Sequence, residues 1–341
     1  MPVSAQHWSR LSDEKLLQLR FCDLGLGAPH RPRLRRAIER LYDELAGRGI
    51  RLRPHLWLAD EWFSPDGIPG IAIPFYLAHP RLERLERRMT RQVEGGDDAT
   101  LMRILRHEAG HAVDTAWRLR RRKCFRETFG PASQRYPSTY HARPGSRRYV
   151  QHLDEWYAQS HPTEDFAETF AVWLQPRSAW RSRYAGWPAL GKLELVAGLM
   201  QELRDEAPRV RCRAHIEPID RNRQTLAEHY RRKLAHRARR RPASLDTVLC
   251  RVFAADPPRP RAPRAAALLR AQRPGLLASL LREPGMDRYS AGQLLDMAVD
   301  RCDAMVLHLR GDRRTALREA RAGLTRLART YLRWRSPLLR L

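Results

Sequence analysis

The segment His107-Glu108-Ala109-Gly110-His111 sets two histidines four residues apart, with a glutamate beside the first. On a helix such a pair shares one face, so both imidazoles can grip a single Zn²⁺. The adjacent carboxylate then lies near the water that the ion activates, without taking a coordination position. This is the chemistry of metal-assisted hydrolysis. Leu101, Ile104, Leu105, Val113 and Ala116 supply the apolar stripe that buries such a helix. A catalytic zinc needs a third protein ligand and one open position. The extended form of the motif, with a glycine and a third histidine further along the helix, is absent, because 114 is Asp and 117 is Trp. Glu164-Asp-Phe-Ala-Glu168 instead offers two carboxylates four apart on one helical face. Asp114, one turn after His111, is placed either to orient a ligand or to bond neighbouring backbone.

HExxH followed by a later ExxxE resembles the gluzincin metallopeptidases, the class containing thermolysin and lethal factor. The Glu-Asp-Phe-Ala-Glu-Thr-Phe segment is most similar to the lethal-factor form. That resemblance implies Glu164 as the third zinc ligand and Glu168 as acceptor for an imidazole N–H, which fixes the tautomer and raises ligand basicity. It also implies a phenol to receive the developing oxyanion, and Tyr157, seven residues before Glu164, stands at the matching offset. His152, His161 and Arg148 are weaker candidates for that role. A wider stretch, about 20 to 205, resembles a bacterial group described as "putative zinc-binding metallopeptidases". The segments that carry it are Trp62-Phe-Ser-Pro-Asp-Gly-Ile-Pro-Gly-Ile-Ala-Ile-Pro-Phe-Tyr-Leu77, Ile104 to His111, and Tyr157 to Phe170. The implied reaction is peptide hydrolysis, with Glu108 as general base and a peptide or protein as substrate.

These side chains must be held by helices. Apolar spacing predicts helices at about 12–20, 34–45, 98–122, 149–158 and 189–206. Another runs from a Ser160 or His161 cap, with Pro162 in its first turn, to Leu174. Strands are expected at 52–58 and 70–77, split by the Ser64-Pro-Asp-Gly turn. Pro74 favours an edge position for the second strand, which makes Gly70–Leu77 a candidate for pairing with an extended peptide. Further helices are expected at about 222–240, 244–254, 264–282, 290–309 and 313–334, with a Pro-rich link at 256–263. The stripe Leu317, Ala320, Leu324, Leu327, Tyr331 and Trp334 forms the core face of the last. The fold class is therefore α+β and mainly α: a zincin-like domain with a small N-terminal sheet and an active-site helix over 1–207, then a basic all-α region over 208–341.

Composition narrows the function classes. Of 341 residues, 43% are apolar and 30% charged, as in a globular chain, and no apolar run approaches a membrane span. No secretory signal is visible, and the five scattered cysteines form no CxxC pair, so a bacterial cytoplasm is the expected compartment. The net charge of +26 is uneven. Residues 208–341 hold 31 basic and 12 acidic side chains, against 33 and 26 in residues 1–207. Arg231-Arg-Lys-Leu-Ala-His-Arg-Ala-Arg-Arg-Arg241 is the densest run. A second reading thus makes the chain a nucleic-acid-associated protein, with the zinc site either a protease acting on bound proteins or non-catalytic. SprT-like proteases of that kind use a histidine as third ligand, a part that His161 would have to play.

Overall fold

The computed structural model describes residues 8–29, 31–137, 143, 146–239, 245–257 and 262–331. In chain order the elements are α1 (Asp13–Leu17), α2 (Pro32–Gly47), β1 (His55–Ala59), β2 (Gly70–Pro74), α3 (Pro80–Thr90), α4 (Asp98–Trp117), α5 (Lys123–Phe129), α6 (Pro162–Leu174), α7 (Trp180–Arg183), α8 (Ala189–Glu202) and α9 (Leu226–Arg239). After these come α10 (Leu245–Val252), β3 (Phe253–Ala254), α11 (Ala265–Ala271), α12 (Arg273–Leu280), α13 (Arg288–Ala304), β4 (His308–Leu309) and α14 (Arg313–Tyr331). The chain is mainly helical with small sheets. Among the described residues, no helix is long and apolar enough to cross a membrane.

The helix that carries the HExxH motif starts where Asp97 accepts the Thr100 N–H at 2.9 Å. It ends earlier than expected, at Trp117, because Arg118 turns left-handed (φ 56°). From Leu101 on, α4 is buried on almost every side. It is tied to α2 by a bidentate pair in which Arg106 meets both oxygens of Glu44 at 2.7 Å. α6 begins at His161, whose ring accepts the Thr163 N–H, with Pro162 in the first turn where a missing N–H costs nothing. The contact between α4 and α6 is the most extensive between any two elements. Gly110 permits it, since a Cβ there would stand 2.8 Å from the Ala167 Cα.

The strand expected at 70–77 ends at Pro74, where a 3₁₀ turn over Phe75–Ala78 follows. β2 pairs in parallel with β1 in a two-stranded sheet, and its other side carries one bridge, in which Ala72 N–H donates to the Phe63 carbonyl at 2.8 Å. All five of its residues are buried. Pro74 sits at the strand's end, where its missing N–H matters little. The outer side of β1 is also occupied: Trp57 Nε1–H donates to the Ile216 carbonyl at 2.9 Å and Ile219 N–H to the Leu58 carbonyl at 2.8 Å.

The helix expected at 149–158 is instead an irregular segment and a 3₁₀ turn over Asp154–Gln159. Leu153 N–H is spent on the Glu168 carboxylate, and Trp156 adopts φ 58°. The helix expected over 264–282 is split at Gln272 into α11 and α12, with Pro274 in the first turn of the second. The C-terminal region is not all-α, because β3 and β4 pair as a two-residue antiparallel ribbon.

Apolar side chains gather into two principal cores. The first runs from Trp8 to Tyr230 and includes Ile219 and Leu226. The second runs from Leu245 to Ala328. Packing therefore changes partner between Tyr230 and Leu245, further along the chain than residue 207. Arg240, Arg241 and Trp334 lie outside the described residues.

Candidate metal centre

The Glu-Asp-Phe-Ala-Glu-Thr-Phe run explains how α6 can serve a site and a core at once. Glu164 and Glu168 lie four apart, as do Phe166 and Phe170, and the two pairs are offset by half a turn. The phenylalanines face a cluster with Phe125 and Phe129, with ring centroids 5.2 Å (Phe125–Phe166) and 5.5 Å (Phe129–Phe166) apart. The carboxylates face α4, at the level where Gly110 lets the helices close.

There, three atoms converge. His107 Nε2 and His111 Nε2 are 3.1 Å apart, and Glu164 Oε2 lies 3.0 Å from the first and 3.2 Å from the second. Among the described residues this is the one group of His, Cys, Asp and Glu side chains that could hold a metal ion. Tetrahedral coordination with bonds of about 2.0–2.1 Å puts ligand atoms roughly 3.3 Å apart, close to the spacing seen. Two imidazoles and one carboxylate also form the donor set of a hydrolytic zinc site. The residues present fit a divalent cation.

The surroundings set the orientation of each ligand. His107 Nδ1–H donates to Glu168 Oε1 at 2.8 Å, which leaves Nε2 to face the point of convergence. Glu168 is itself held by the Leu153 N–H at 2.8 Å on its other oxygen. Burial alone would lower the pKa of His107, but Glu164 and Glu168 outweigh it and raise the group to about 10. Burial likewise works against ionised Glu164 and Glu168, and the histidines pull both below the usual carboxylate range.

Glu108, on the same helix, is fully buried, and among the described residues neither of its carboxylate oxygens has a hydrogen-bond partner. Burial raises its pKa, opposed by His107 and His111. The Ser64 hydroxyl donates to the Glu108 backbone carbonyl at 3.2 Å and brings the loop after β1 over this residue. A buried carboxylate without a partner is costly, and such groups mark sites where a polar ligand belongs.

Other candidates are distributed more widely. Tyr157 packs its ring against His107, centroids 5.7 Å apart, and is 4% exposed. Asp114 receives the Arg120 backbone N–H at 2.7 Å and its Nε at 2.6 Å, and makes no hydrogen bond to an imidazole among the described residues. His161 caps α6 with Nδ1 and points Nε2 at the Gln134 carbonyl at 2.8 Å, so it is not a third ligand. His152 is buried behind the site, donating from Nε2 to the Arg103 carbonyl at 2.9 Å. Arg148 is exposed on the surface.

One site residue escaped the sequence. The Tyr136 phenol donates to Glu164 Oε1 at 2.9 Å. Its loop has no periodicity to follow, and the only available signal was an aromatic residue in a loop otherwise rich in Pro, Ser and Arg.

Residues 81–185 match the family described as "Putative zinc-binding metallo-peptidase". The match spans α3 to the second residue after α7 and contains His107, Glu108, His111, Glu164 and Glu168. It is the second family whose likeness the sequence carried. No curated protein and no solved structure matches the chain.

The basic run on α9 is less free than its sequence suggests. Lys233 is partly buried and pairs with Glu61 Oε1 at 2.9 Å and Glu86 Oε1 at 3.1 Å, while Arg232 stands 3.8 Å from Asp60. These contacts bind α9 to the first core.

Proposed function

We propose that the protein is a zinc-dependent metallopeptidase in which His107, His111 and Glu164 hold the ion and Glu108 is the general base. The observation that carries this reading is the convergence of three ligand atoms beside a buried carboxylate that has no partner among the described residues. A zinc ion there supplies Lewis acidity, which acidifies water and polarises a peptide carbonyl. Glu108 then takes a proton from the attacking water as the new C–O bond forms. It delivers that proton to the amide nitrogen as the C–N bond breaks. Tyr157, tilted against His107, donates to the oxygen that gains charge. Glu168 holds the His107 tautomer throughout. On this reading the body built on the first core is zincin-like, the helices from α10 on are an accessory unit, and the substrate is a peptide or protein.

The test is the zinc content of purified protein by mass spectrometry, together with hydrolysis of an unfolded protein substrate. One zinc per chain is expected, lost in Glu164→Ala and kept in Glu108→Gln, with turnover lost in both. Wild type without stoichiometric zinc after metal-replete expression would overturn the reading.

A further inference from the structure

Glu164 offers a metal two oxygens, and the structure treats them differently. Oε2 faces the histidine pair at 3.0 and 3.2 Å. Oε1 turns the other way and meets the Tyr136 hydroxyl at 2.9 Å. A carboxylate can only accept, so the phenol O–H is the donor, and the bond is charge-assisted. Tyr136 is 38% exposed while Glu164 is fully buried, so a partly exposed ring sends its one polar atom into the site.

The ring is held for that purpose by groups already in place. It stacks on His161, centroids 3.7 Å apart and 16° from parallel. His161 is fixed at both nitrogens, by the Gln134 carbonyl at 2.8 Å and by Thr163, whose N–H and hydroxyl lie 3.2 and 2.7 Å from Nδ1. The Thr163 hydroxyl also touches the phenol oxygen. The helix cap of α6 thus positions Tyr136, and Tyr136 holds the ligand three residues beyond that cap.

We propose that Tyr136 is a positioning residue that keeps Glu164 a one-oxygen metal ligand. The proposal rests on the metallopeptidase reading above. A carboxylate with both oxygens free can close on an ion in bidentate fashion, which adds a ligand atom and crowds the position that water or substrate requires. With Oε1 bonded to the phenol, Oε2 binds alone and the fourth position stays open. The substrate does not enter this argument, so the role is separate from the one given to Tyr157.

The test uses Co²⁺-substituted full-length protein, whose visible absorption reports coordination number, and the variant Tyr136→Phe, which keeps the ring stack and removes the hydroxyl. Both proteins are expected to bind one cobalt per chain. The visible bands of Tyr136→Phe should lose intensity as coordination rises above four. Peptide turnover should fall about 10–100-fold through kcat with KM little changed. A spectrum identical to wild type overturns the proposal, even if turnover falls, because the phenol then acts on substrate. Loss of cobalt from a variant that keeps its circular dichroism also overturns it, since the phenol would then be needed for binding instead of geometry. If Tyr136→Phe does not fold, Thr163→Val serves: the same bands should weaken to a smaller degree, and an unchanged spectrum counts against the proposal. Wild type that takes up no stoichiometric cobalt refutes the metallopeptidase reading itself, a result distinct from all of these.

Discussion

The first core and the C-terminal core are both closed by leucine, alanine and other aliphatic side chains, yet they treat charge differently. Around α4 and α6 the first encloses His107, Glu108, His111, Asp114, Glu164, Asp165 and Glu168. Among the described residues after 244, the buried polar side chains are Ser290, Gln293 and Asp296. All three have polar partners. The Ser290 hydroxyl and N–H meet Asp287 at the start of α13. Gln293 donates to Gln92 Oε1 at 3.1 Å, and Asp296 pairs with Arg273 at 2.7 Å. Burying a charge costs free energy unless it is paired or used. The C-terminal body avoids that cost, whereas the first core accepts it where two helices meet and offsets it with mutual hydrogen bonds. The difference separates a core built for packing from one that also holds a reactive site.

Two substitutions should break the comparison in opposite directions. Glu108→Gln is expected to lower turnover by about 10²–10⁴ with little change in stability, because an amide keeps the shape and loses the base. Leu294→Ala, in the middle of α13, should cost about 2–5 kcal/mol of stability and leave zinc content and turnover per folded molecule intact. Denaturant unfolding and steady-state hydrolysis on both variants read the two effects separately. A large stability loss in the first, or a dead but folded enzyme in the second, would erase the distinction between the two cores.

Glu168→Gln sharpens the same contrast at a residue that touches no metal. The amide keeps one acceptor oxygen for two donors, His107 Nδ1–H and the Leu153 N–H, so one of them loses its partner, and zinc affinity or turnover should fall about 10–100-fold. Competition with a chromophoric chelator measures it, and wild-type affinity together with wild-type turnover would show that the His107 tautomer needs no such partner.

Gly110→Ala is expected to act through packing. A Cβ 2.8 Å from the Ala167 Cα must push α4 from α6, for about 1–3 kcal/mol of stability. Because the same approach brings Glu164 to the histidines, zinc affinity should fall with it. Lost stability without lost affinity would mean that the site tolerates a wider helix spacing than the structure suggests.

The features legible in the sequence share one property, a helical period. His107 and His111, and then Glu164 and Glu168, could be assigned to helix faces because their spacing is local, and the family likeness supplied the division of labour between the two carboxylates. Tyr136 and Ser64 reach the site from loops, where no period connects residue type to direction. The contact of Gly110 with Ala167 is a tertiary fact, invisible in a motif position that tolerates any small residue. Pro74 marks the edge of a two-stranded sheet, but the burial of all five β2 residues depends on distant chain that the strand pattern does not name. Lys233 reads as part of a solvated stripe until Glu61 and Glu86, far back in the chain, are seen beside it.

The last expected effect concerns acid. His152 is buried in the segment that Glu168 holds through the Leu153 N–H, and burial pushes its pKa down to about 4 from an ordinary 6.5. It stays neutral in the folded protein, with Nε2–H donating to Arg103. The unfolded chain binds a proton at this histidine from near 6.5 downward, while the folded chain refuses it until about 4. The stability it contributes is therefore present above that window and is lost as pH falls through it, at about 1 kcal/mol per pH unit. His152→Gln removes the titration while keeping a side-chain donor. Unfolding of metal-free protein should then depend less steeply on pH between 6.5 and 4 than in wild type, and chelation keeps ligand protonation from adding a metal-loss term. Equal slopes in the two proteins would mean that the folded state admits the proton. The first core would then be more open to solvent near Glu168 than its packing implies, and the contrast with the C-terminal core would be weaker at that point.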